Sequence, residues 1–157
     1  MKLSVASLAL EPTPSVLAKY DRPFHLTFIL RLTEYQLRTE LHVKNTSTAD
    51  DLEFQALFHN YLRAPSPEVL IFPLKHHSYY DKTAPTEEER ATLKEETREG
   101  VDVKEFTDFV YPNAPQKYEV MWPQGRIDIE AVELKDVVIW NPQGTGSKIA
   151  DMEEDGW

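Results

Sequence analysis

From Phe24 onward the chain alternates between apolar and polar side chains. Phe24, Leu26, Phe28, Leu30 and Leu32 occupy every second position, with His25, Thr27 and Arg31 between them. A period of two sends successive side chains to opposite faces of an extended backbone, so this run predicts a half-buried strand. After the polar Thr33 and Glu34, Leu37, Thr39, Leu41 and Val43 alternate with Gln36, Arg38, Glu40, His42 and Lys44, the same pattern with a cleaner solvent face. Together the two runs predict an antiparallel hairpin. The NTSTADD that follows reads as a loop, because its short polar side chains capture nearby backbone groups and compete with a ladder. A third run, FQALFHNYL over 54–62, reads as a strand ended by RAPSP, whose prolines cannot donate to a sheet. Its alternation places Phe54, Ala56, Phe58 and Leu62 on one side and Gln55, Leu57, His59 and Tyr61 on the other.

Further strands are predicted over 68–73, 104–111, 117–122, 127–132 and 136–141, and the opening MKLSVASLAL reads as one more. Strands this short, separated by turn chemistry, predict an all-β sandwich or barrel. One segment departs from the pattern. In TAPTEEERATLKEETREG, Thr86 with Glu89 fits a capping box and Gly100 a helix stop, but Leu93 is nearly the only large apolar side chain between them. A helix there would bury little, so 82–100 is expected to be a solvated excursion with one or two helical turns.

A chain of 157 residues suits a single domain over 1–157 with one core. The 27 acidic residues against 17 basic ones give a net charge of −10, and no Lys/Arg run is long enough to track a phosphate backbone. Nucleic acid and anionic membranes are excluded as partners on that ground. Without cysteine there are no disulfides, thiolate metal sites or cysteine nucleophiles. The apolar opening passes into EPTPS with no small-residue cleavage pattern, and no run approaches the roughly 18 apolar residues that span a bilayer. A soluble protein is expected.

His59 is the first candidate for chemistry. Either it is a histidine satisfied by or exposed on a sheet, with Gln55 and Tyr61 as hydrogen-bond partners, or it is a general acid on a concave sheet face. Asp108, in EFTDFVY, is either a strand-end cap or a carboxylate that accepts hydrogen bonds from ligand hydroxyls. Asp136 and Asn141 bracket a predicted strand and read as edge and turn residues. His76, His77 and Asp81 resemble a metal cluster on paper, but adjacent strand residues point to opposite faces, so no metal is expected there. Acids are plentiful, yet no spacing singles out a glycosidase pair. NPQGTGSK lacks the Walker pattern, which leaves nucleotide binding unsupported.

Taken in order, LHVKNTS, FQALFHNYLR, YYDKT, EFTDFVY, and DVVIWNP with KIADMEEDGW resemble the glucose-6-phosphate 1-epimerases, hexose-phosphate mutarotases of the aldose 1-epimerase superfamily. The resemblance covers nearly the whole chain, and it is the ordered set that is specific. It implies an antiparallel β-sandwich of the galactose mutarotase type, truncated here at both ends, since members of the family are close to twice this length. It also implies interconversion of the α and β anomers of a hexose 6-phosphate in the cytoplasm, with no cofactor and no metal. A base takes the C1 hydroxyl proton, an acid protonates the ring oxygen, and the opened aldehyde rotates before the ring recloses. By motif, His59 matches the general acid and Asp108 a residue that binds sugar hydroxyls; Gln55, beside His59 in the same string, is taken as a further substrate contact.

The sequence also departs from that family. No glutamate here matches the catalytic base, which the family places in a Glu-Pro-Gly string, and the arginines that hold the 6-phosphate have no counterpart. PLKHHSYYDKT stands where relatives have a more glycine-rich turn, and Gln143 where an aromatic residue is usual. The missing base leaves two further readings beside the enzyme: a sandwich that binds a phosphosugar without turnover, and an assembly piece or incomplete gene product.

Overall fold

The computed structural model describes residues 2–148, which form ten strands, all paired antiparallel, and two short α-helices. Backbone contacts divide the chain into two compact units, one of Met1–His59 and one from Asn60 onward. The IADMEEDGW part of the resemblance, 149–157, lies outside the described residues.

The first unit is a sheet of β1 (Ser4–Leu10), β2 (Phe24–Leu32) and β3 (Leu37–Asn45) in the order β1–β2–β3. A short helix α1 (Pro14–Leu17) joins β1 to β2; Thr13 caps it, and Pro14 suits its first turn because an N–H there would lack a partner anyway. The hairpin expected from the alternation is present, in register from Phe24 opposite Asn45 to Leu32 opposite Leu37. Because opposed residues share a face, Phe28 lies in line with Leu8 and Leu41, and Leu26 with Leu10 and Val43. The other face carries charge. There the Glu40 carboxylate accepts a hydrogen bond from Arg31 Nε at 2.8 Å, with Arg38 Nε at 3.0 Å from the same oxygen and His42 Nε2 at 3.0 Å from the other. The bonds from Arg31 and then His42 outweigh the opposing effect of burial and hold the Glu40 carboxyl down at about 2.

The strand expected over 54–62 is not formed: residues 51–65 belong to no ladder. A strand exists only where its N–H and C=O groups meet those of a neighbour, and no described strand pairs with this segment. Its apolar side chains act instead by docking on the β2–β3 face, where the Phe58 ring centroid lies 6.4 Å from that of Phe28. Leu8, Leu32 and Leu37, on the same apolar face, remain more than half exposed.

From Asn60 the second unit builds two sheets. One has the order β10 (Val137–Asn141), β7 (Thr107–Tyr111), β5 (Ser78–Asp81), β6 (Leu93–Glu95); the other has β4 (Leu70–Phe72), β8 (Lys117–Trp122), β9 (Gly125–Glu130). Tyr111 and Ile139 from the first sheet and Tyr118 and Val120 from the second share one buried cluster with Val69, Leu74, Val101 and Val103. Side chains alternating in and out of each sheet thus close an apolar layer between them, the arrangement of a β-sandwich.

The run expected over 117–122 coincides with β8, and the runs expected over 68–73, 104–111, 127–132 and 136–141 contain or overlap β4, β7, β9 and β10. Strands β5 and β6 were not expected. Within 82–100 lies the helix α2 (Glu87–Ala91), opened by the Thr86–Glu89 capping box. Contrary to the solvated excursion expected there, β6 pairs with β5, and Glu96 is only 2% exposed, its carboxylate bound by Arg98 and Tyr111. Among the described residues, no helix is long and apolar enough to cross a membrane.

The capping box gives a direct check. Thr86→Ala removes the acceptor of the Glu89 amide, 3.2 Å away, and is expected to destabilise by about 1 kcal/mol. In urea titrations the midpoint should fall while the slope stays unchanged.

Candidate active site

Gln55 lines two adjoining clefts of the first unit. The larger, about 460 Å³, is bounded by Tyr20, Arg22, Asp51, Glu53, Phe54 and Gln55. The smaller, about 170 Å³, has an apolar floor that includes Leu26, Leu41 and Val43. The Tyr20 hydroxyl donates to the Glu53 carbonyl at 2.7 Å, which ties the chain on either side of these clefts together. Arg22 is the cation of the larger cleft, and its guanidinium is already met by Asp50 at 3.2 Å, with Asp51 and Glu53 on the same walls. Such a cleft offers little excess positive charge to a phosphate.

His59 ends the first unit, exposed and on irregular backbone next to the half-buried Phe58. His59 therefore does not issue from a strand of its own, as the alternation had suggested, because residues 51–65 join no ladder.

Asp108 belongs to the second unit, as the second residue of β7. Its ladder partner on β10 is Trp140, and its carbonyl accepts a hydrogen bond from Lys82 N at 2.8 Å. The neighbours of Asp108 along the strand, Thr107 and Phe109, point toward the core side, where Thr107, Tyr111 and Ile139 are buried. On the other face Asp108 and Trp140 keep company with Val110 and its partner Tyr80. This second face is open: Val138 is 44% and Leu93 50% exposed.

Two carboxylates lie close together here, and their surroundings push them apart. Burial raises Asp81, but hydrogen bonds from Thr83 Oγ1 at 2.6 Å, Lys94 Nζ at 2.9 Å and Thr83 N at 3.0 Å outweigh it and leave the carboxyl below its ordinary value. For Asp108 burial dominates and the nearby Asp81 adds to it, so its carboxyl is raised despite the attraction of Lys82. Asp81 is a fixed anion that ties β5 to β6. Asp108 is the poised one, and among the described residues no donor is hydrogen-bonded to its carboxylate.

The other candidates resolve into structural roles. Asp136 Oδ1 accepts from Asn113 N at 3.0 Å and Asn141 Oδ1 from Gln143 N at 2.9 Å, the turn chemistry anticipated for both. His76 and His77 lie in the turn before β5 rather than in a strand, and His76 Nδ1 sits 3.1 Å from Glu95 while Asp81 is engaged by Lys94. Glu96 was not singled out by the sequence. It accepts from Arg98 Nε and N, both at 2.9 Å, from Arg98 NH2 at 2.7 Å and from the Tyr111 hydroxyl at 2.8 Å. A carboxylate so fully engaged on the core side holds the sheet and exchanges no protons with a ligand. Trp140, Tyr80 and Lys82, which surround Asp108, were not singled out by the sequence either. All three lie inside strings that carried the resemblance, and only the pairing of strands brings them beside Asp108.

A model of the aldose 1-epimerase family matches residues 4–157. The chain belongs to the aldose 1-epimerase family. The aldose 1-epimerases interconvert sugar anomers, which makes a sugar the substrate class, and the match spans His59, Gln55 and Asp108 alike.

Proposed function

We propose that this aldose 1-epimerase acts on the anomers of glucose 6-phosphate by acid–base ring opening. His59 is the general acid: as a base removes the C1 hydroxyl proton, the C1–O5 bond breaks, its electron pair stays on the ring oxygen, and His59 supplies the proton that oxygen takes. The resemblance assigns to Asp108 and Gln55 the binding of sugar hydroxyls. The observation that supports the reading is the family match over 4–157, together with the ordered strings that resemble the hexose-phosphate branch. The base is assigned to no residue of this sequence, since none of its glutamates matches the family string.

Two-dimensional exchange NMR on the anomers of glucose 6-phosphate tests it. The interconversion rate is expected to exceed the spontaneous one and to exceed that of glucose under the same conditions. Equal rates with and without the folded chain would overturn the reading. One observation, the unmatched base, favours a second reading in which the protein binds a phosphosugar without turnover; calorimetric binding with no acceleration is its signature.

A further inference from the structure

We propose that the outer edge of β1 is a self-association surface, on which β1 of a second copy pairs antiparallel about Ser7 and joins the two first-unit sheets into one. An edge strand presents a row of unpaired N–H and C=O groups, and proteins protect such edges by charge, shortness or cover. Among the described residues the sheet edges differ in this respect. β3 carries Arg38, Glu40, His42 and Lys44, β9 carries Arg126, Asp128 and Glu130, and β6 carries Lys94 and Glu95. Ile71 of β4 is bridged to Val101 by backbone bonds of 2.9 and 3.0 Å. β10 has no charged side chain but only five residues. β1 is the longest edge strand without a charge: its seven residues, SVASLAL, are exposed throughout, Val5 and Leu8 by more than half, and among the described residues its one ladder runs to β2.

The strand's own sequence makes a second copy the fitting occupant. Pairing about Ser7 sets Leu8 opposite Ala6 of the other copy, Leu10 opposite Ser4 and Val5 opposite Ala9, a large side chain against a small one at every position beside the axis. The two-fold axis stands perpendicular to the sheet, so the apolar faces of both copies come out on one side and Leu8 of each lies diagonally across from Leu8 of the other. Antiparallel order carries the Lys2 end of each strand to the Glu11 end of its partner, whereas a parallel pair would set like charge on like. Net charge does not oppose the contact. The first unit holds six basic and seven acidic residues, so nearly all of the chain's −10 lies beyond His59. One two-fold contact uses the β1 edge of both copies, and association stops at a dimer. A seven-residue ladder falls short of the roughly 1,200–2,000 Å² of a standard interface, which sets a weak dimer with a Kd of about 0.1 mM.

Sedimentation velocity and amide hydrogen exchange on the full chain, from about 10 µM to about 1 mM, test it. The wild type is expected to pass from monomer to dimer over that range, with exchange slowing within residues 4–10 as it does so and unchanged along β3. Ser7→Lys sets two ammonium groups against each other on the axis and should weaken the dimer about tenfold, as should Ser7→Asp with its two carboxylates. A mixture of the two variants should associate within about threefold of the wild type, because each lysine then faces an aspartate. Ser7 is exposed, and circular dichroism and melting at the lowest concentration establish that each variant is folded; if one is not, the concentration dependence of exchange in the wild type decides. A wild type that stays monomeric at about 1 mM, protection that spares residues 4–10, a dimer indifferent to Ser7→Lys, or a mixture no tighter than either variant alone overturns the proposal.

Discussion

Replacing His59 by alanine is expected to lower the rate of glucose 6-phosphate anomer exchange on the order of 10²–10⁴-fold, the usual contribution of a positioned acid or base. The ring oxygen is a poor leaving group until it is protonated, and imidazole can deliver a proton near neutral pH, where a carboxylic acid is already ionised and an ammonium holds its proton too tightly. The exposed setting of His59 makes the experiment clean. Alanine there removes no core packing, and melting measured beside the rate separates chemistry from stability. A loss of rate with unchanged melting therefore reports chemistry. Substrate affinity is expected to change little, because the acid acts on an oxygen whose basicity develops only as the C1–O5 bond breaks. If His59→Ala keeps the wild-type rate, the acid must be sought elsewhere.

The largest effect on stability is expected at Glu96, which is 2% exposed and engaged by both Arg98 and Tyr111. Glu96→Ala strands a half-buried guanidinium and a fully buried phenol, and losing one partner of such a pair typically costs about 3–5 kcal/mol. Set against a total of roughly 5–15 kcal/mol, that is a large share of what keeps a domain folded. Calorimetry should show melting of the second unit lowered by roughly 10 °C or more. Tyr111→Phe, which removes one hydroxyl and leaves the Arg98 bonds, should cost about 1–3 kcal/mol. An alanine variant that melts with the wild type would show that Arg98 and Tyr111 find other partners.

The same group gives a pH signature. Burial raises the Glu96 carboxyl, but the Arg98 and Tyr111 bonds outweigh it, so the folded-state value lies below the ordinary 4.5. A depressed carboxyl contributes stability that is fully present above about 4.5 and is lost as the pH falls through the lower folded value. Glu96→Gln, which cannot ionise, should flatten that acid limb of the stability profile.

What the sequence disclosed depended on how local the cause was. The β2–β3 hairpin was legible because alternation and a polar break are properties of consecutive residues, and the turn closes with Thr33 N bonding Gln36 O at 2.8 Å. The α2 cap was legible for the same reason. The strand read over 54–62 was not formed, because alternation reports a backbone's preference for extension and says nothing about whether a neighbour is present to pair with it. β5 and β6 escaped because four and three residues give too little pattern. Glu96 escaped because a glutamate among charged residues looks solvated until its partners, two and fifteen positions away, fold onto it. The site divides the same way. Asp108 came from a motif; that it faces Trp140 and not the core came only from the register of β7 on β10.

The two-sided sheet of the first unit also sets which genetic changes this protein can absorb. Exchanging Leu30 for another aliphatic residue leaves every other side chain of β2 on its own face. Deleting Thr27 is a different matter: either Phe28, Leu30 and Leu32 turn over to the side that holds Arg38 and Glu40, or the strand must bulge to keep its frame. Variation in this part of the gene should therefore accumulate as point replacements within strands, with changes of length confined to the segments between them.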